Sequence, residues 1–475
     1  MSNTPYFFKS IISTAAICTY VLLPFQRLYG QPGPEIKIAY SGLLATYNFV
    51  QKLSDNYPAN ALKKRFDSSD FNRQPYTGLI KQFDSLNIYE SYSFQGYPTG
   101  QKATVTTIAL IKKNLISSGS LEEFNNKTFG IIPNDKLLTL TRILSAFKPV
   151  YDSLIYYPNQ NGINNQLQSL QQYVRQSNLS ALFEKDLIFY GVKWDNSIPI
   201  TITIIPLFGS ERFSANAFLN TAVSEVPLNY KHNDILFSVV MHEICHIIYN
   251  EQSLSFKNRM QSWFNHHASK NSQYACLLFN EVLATDLGNG YVYKQLNGQT
   301  EKGDWYNNKY INLMAKKLYP SVENYLASGK TIDSTFISNY INIYDANFPD
   351  WINELSNLFT YRYVLSENQD NFNFFRKAFP YSSFYKYDTE FSSCSLEQLK
   401  ETPVTKIIII SSDHKNKLQQ ITNTFPELKN RKYMANKAFI DSIGLADKTK
   451  LFIINQVATS LQDLFDKNFD NTPTK

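Results

Sequence analysis

Cysteine and histidine are scarce in this 475-residue chain, with four and six copies, and no cysteines stand at zinc-finger spacing. A disulfide-stapled scaffold and a structural zinc finger are therefore excluded. No glycine-rich phosphate loop follows a strand pattern and no repeat period is visible, which removes the P-loop and solenoid classes. Long runs of one charge are also missing: 46 Lys and Arg against 40 Asp and Glu leave +6, spread along the chain. Nucleic acid finds no concentrated basic face there. What the chain does have is 43% apolar and 18% charged residues, enough for a sizeable core over a length that suggests about two or three folding units.

The N-terminus reads as an export signal. Lys9 precedes an apolar stretch from Ile11 to Phe25, and Leu28, Tyr29 and Gly30 stand before Gln31. The stretch is broken by Pro24 and falls short of the ~20 apolar residues that a bilayer span requires. The expectation is a secreted or periplasmic protein from which residues 1–30 are removed, leaving no stable membrane span. Cys245, Cys276 and Cys394 would then remain, an odd number that permits at most one internal disulfide.

From Glu35 to about Trp194 the pattern is mostly helical, as in Leu137, Leu140, Ile143, Leu144 and Phe147. It then changes. Ile200, Ile202 and Ile204 alternate with Thr201, Thr203 and Ile205, which spells a strand, and the flanking Pro199 and Pro206 suggest an edge position. Asn233 is placed to cap a helix from Asp234 to about Tyr249 that is apolar nearly all round and therefore buried. A second helix is expected from about Ser272 to Leu287, stopping at Gly288. Apolar runs at Ile407–Ile410 and Leu451–Ile454 suggest a small C-terminal α/β unit.

The buried helix carries His242-Glu243-Ile244-Cys245-His246. Histidines four apart project from one helix face and can share one Zn²⁺, while Glu243, one step round, is placed to reach water beside the metal. Two imidazoles and a carboxylate on an apolar helix are costly unless satisfied, and a metal satisfies all three. Catalytic zinc needs a third protein ligand. Glu281, within the apolar stretch Leu277, Leu278, Val282 and Leu283, is the leading choice, against His266 and His267 among polar neighbours.

The pairing of His242-Glu-x-x-His246 with the later Asn280-Glu281-x-x-Ala284 resembles the gluzincins, the thermolysin-like zinc peptidases. The likeness covers two helices and the preceding strand. It implies an α+β fold: a mostly helical part over 31–195, a zincin-like core over 196–400 with an edge strand beside the active-site helix, and the α/β unit over 401–475. It also implies that His242, His246 and Glu281 bind zinc, that Glu243 is the general base, and that the substrate is a peptide or protein lying along the edge strand. Thr285 stands where such enzymes place an Asp that supports the first histidine, so Asp286 is the substitute candidate. The metzincin pattern does not fit, because Tyr249 and Gln252 replace its glycine and third histidine. For the oxyanion, His266, His267, Tyr361 and Tyr363 are all candidates. The rival reading is a zincin-fold binding or surface interaction protein without turnover.

Overall fold

Strand and helix periodicities map onto a mixed α/β chain of helices and small mixed sheets. The computed structural model describes residues 33–469, so the expected export signal lies outside the described residues. In chain order the strands are β1 (Ile36–Ala39), the short hairpin β2 (Ser91–Tyr92) and β3 (Val105–Thr106), then β4 (Ile200–Leu207), β5 (Ser214–Phe218) and β6 (Thr221–Pro227). After a long helical stretch come β7 (Tyr361–Ser366), β8 (Phe384–Asp388), β9 (Thr405–Ile410), β10 (Phe439–Gly444) and β11 (Lys450–Asn455).

The alternating Ile/Thr segment forms β4, but not at an edge. The first sheet runs β1-β4-β6-β5, with β4 parallel to both neighbours and β5 antiparallel to β6. Ile200, Ile202 and Ile204 face the helix Asn233–Glu251 in one core, while Ile205 packs with Leu43, Leu44 and Leu140 of the N-terminal helices in another. A strand buried on both faces belongs in the interior. The prolines misled because Pro199 precedes the strand and Pro206 sits near its end, where a missing N–H costs little. The edges are β1 and β5, and the residues of β5 are partly exposed and alternate weakly.

The C-terminal apolar runs become β9 and β11 in a second sheet of order β10-β11-β9-β7-β8. Its β7 and β8 come from before residue 401, so the α/β unit draws in chain upstream of the expected boundary. β7 and β9 are buried throughout, as suits parallel central strands. Among the described residues no helix is long and apolar enough to cross a membrane, and Cys245, Cys276 and Cys394 are free thiols.

The helix carrying the His-Glu motif runs Asn233–Glu251; His232 precedes it without a side-chain cap, and Asn233 is its first residue rather than its cap. Between its ends, burial leaves one narrow strip, Val239, Glu243, His246 and Asn250, spaced as one helical face. The second helix, Ser272–Ala284, does not stop at Gly288. It continues through a π-helical segment, Thr285–Val292, and a last turn, Tyr293–Asn297, ending at Gly298 in the left-handed region. Gly288 has another use: a Cβ there would lie 2.6 Å from the Cα, Cβ and N of His242. The two helices therefore cross backbone to backbone at the first histidine, and neither side can yield. Gly288→Ala is expected to destabilise the fold by about 3 kcal/mol through overpacking, read as a lower denaturation midpoint. An unchanged midpoint would contradict so close a crossing.

Candidate metal centre

His242, His246 and Glu281 meet where the two helices cross. Each offers one ligand atom, and these atoms all lie within 4.8 Å of one another. Glu281 Oε2 is 3.8 Å from His242 Nε2 and 3.6 Å from His246 Nε2. The opposite ring nitrogens are held by amide oxygens: Nδ1 of His242 bonds Asn289 Oδ1 at 3.0 Å, and Nδ1 of His246 bonds Asn280 Oδ1 at 3.2 Å. An amide oxygen accepts, so each imidazole donates from Nδ1 and directs Nε2 toward Glu281. Once His246 gives up its Nε2 proton, both rings present the tautomer that a metal needs.

Without a metal, His246 and Glu281 form a charged pair. Burial and the neighbouring His246 pull His242 down to about 4. Burial also opposes charge on His246, but Glu281 outweighs it and lifts His246 to about 9. Burial would raise Glu281, yet His246 and then His242 hold it at about 2. Glu243 stands beside this group on the partly exposed strip; burial pushes its carboxyl above the usual range, and His246 and the backbone of Ala217 on β5 counter in part. Two imidazole nitrogens and an ionised carboxylate oxygen are a zinc donor set, and spacings of 3.6 and 3.8 Å leave room for an ion at about 2.0–2.1 Å from each. The residues fit the metal.

Asp286 does not support His242. It is fully buried, neither oxygen has a hydrogen-bond partner, and burial raises its carboxyl well above the usual range. The π-helical turn instead brings Asn289 to His242. Asn289→Ala is expected to weaken zinc binding about 10- to 100-fold, the usual cost of losing a group that orients a metal ligand. Competition with a zinc-binding dye would read the change, and unchanged affinity would remove Asn289 from the centre.

His266 and His267 are elsewhere. His266 ends the helix Leu254–His266 and bonds its own turn through Ser262, while His267 follows that helix and bonds Ser269 and, weakly, Ser338. Tyr363 is occupied with Asp388 and Gln398, whereas Tyr361 is buried beside Glu281 on a small cavity of about 110 Å³. The hydroxyl nearest the centre was not foreseen. Tyr306 donates to Glu281 Oε2 at 3.1 Å, stacks on the His242 ring at 5.6 Å, and accepts from Tyr381 at 3.3 Å. No sequence signal marks it, because it is one of 32 tyrosines and lies in a loop.

A cleft of about 560 Å³ is lined by β5, by Val223 and Glu225 of β6, by Asn48 and Lys52, by Ile247, Asn250 and Glu251 of the motif helix and by the segment Lys102–Ala109. That segment is tied down where Lys102 donates to the Asn250 carbonyl at 2.7 Å and the Ala103 amide donates to Asn250 Oδ1 at 3.0 Å. Comparison with protein-family models, curated proteins and solved structures yields no match.

Proposed function

We propose that the protein is a zinc-dependent peptidase of gluzincin type, with His242, His246 and Glu281 as ligands and Glu243 as general base. The convergence of two Nε2 atoms and one ionised carboxylate carries the reading, and the adjoining free edge of β5 supports a peptide as substrate. Bound zinc supplies Lewis acidity toward water and a carbonyl oxygen. Glu243 takes a proton from the attacking water and delivers it to the departing amine, a task suited to a carboxyl raised by burial. An extended peptide adds as a strand to β5, which aligns its backbone with little sequence preference. Tyr306 turns its hydroxyl from Glu281 to the carbonyl oxygen as charge develops there.

Metal analysis of the purified protein, with mass spectrometry of an unstructured peptide mixture, tests the reading. About one zinc per chain is expected, with cleavage that chelation abolishes and zinc restores. A chain that binds no zinc overturns it, and one that binds zinc but cleaves nothing is a binding protein built on the same centre. Tyr306→Phe is expected to keep the metal and lower kcat about 100-fold with little change in KM. Unchanged kcat would assign the oxyanion to another group.

A further inference from the structure

Ala217 links the cleft along β5 to the metal centre: its backbone bonds Glu243, and it also lines the cleft. Both carboxylates that line it are already claimed. Glu225 accepts from Lys52 at 2.6 Å, with both side chains largely buried, and Glu251 accepts from Lys102 at 3.1 Å. A third lysine lines the same cleft: Lys112, half-buried on the helix Thr107–Ser117. Among the described residues it has no ion pair and no hydrogen bond, and the nearby Glu225 is committed to Lys52. Ile108, Val223 and Ile247 share the wall. The cleft thus holds one unbalanced ammonium in partly apolar surroundings, where hydration is reduced and a charge-assisted bond is stronger than in water. Burial accordingly lowers the Lys112 pKa.

Resting on the peptidase reading, we propose that this cleft is a subsite for a carboxylate of the substrate peptide, bound by Lys112. The carboxylate comes from an Asp or Glu side chain or from the peptide C-terminus. Both present the same acceptor, and a peptide aligned on β5 carries its next residues into the cleft. Lys113, one residue on, is instead bonded to Asn220 and serves as a control for loss of charge.

Fluorescence anisotropy on the full mature chain carrying Glu243→Gln reads binding without turnover. The probes are labelled peptides of one sequence, with Glu, Gln or Lys walked through successive positions, each as the free acid and as the C-terminal amide. One acid/neutral pair is expected to differ by about tenfold or more in Kd, and the pair that differs identifies the source of the carboxylate. Lys112→Met should abolish the preference, Lys113→Met should leave it, and Lys112→Glu should reverse it toward Lys-containing peptides. Equal binding of every acid/neutral pair, a preference that survives Lys112→Met, or no binding by any peptide overturns the subsite. Zinc content and cleavage by the unsubstituted chain judge the peptidase reading separately, so cleavage without carboxylate preference sinks the subsite alone.

Discussion

Glu243→Gln should retain zinc and lose about three orders of magnitude in kcat, within the range that a positioned general base supplies. The amide has the size and hydrogen-bonding reach of the carboxylate but takes no proton. Because Glu243 is not among the three converging ligand atoms, its loss leaves the donor set whole. Metal content and rate should therefore separate. Full activity in the variant would exclude Glu243 from proton transfer, and loss of the metal would show that it helps to hold the ion.

The larger effect on binding belongs to Glu281. Its Oε2 lies 3.6 Å from His246 Nε2 and accepts from Tyr306, so Glu281→Ala removes a donor and leaves two imidazoles with no anion between them. Zinc affinity should fall by more than about a hundredfold, since that is the upper cost of losing only an orienting partner. His267→Ala should leave metal content unchanged, because that ring engages Ser269 and Ser338. The comparison is pointed: loss of metal in His267→Ala with retention in Glu281→Ala would move the third ligand and undo the gluzincin reading, even in a protein that still binds zinc.

The sequence by itself determined what depends on near neighbours along the chain. Spacing by four sets His242 and His246 on one face of a helix, and the apolar residues around them bury that helix, because both follow from 3.6 residues per turn. The Ile/Thr alternation likewise specified a strand and assigned its faces. It carried no information on what lies beside the strand, since backbone hydrogen bonds connect segments far apart in sequence. Only the tertiary structure placed β4 in the interior and β5 at an edge. The same holds for the groups around the centre. Asn289 reaches His242 because a π-helical segment changes the helix register, and Gly288 serves a close crossing rather than a helix end. Tyr306 approaches from a loop with no periodicity to announce it. A local pattern determines which way a side chain leaves its own helix or strand, whereas its partners are chosen when distant segments pack together to bury their apolar faces.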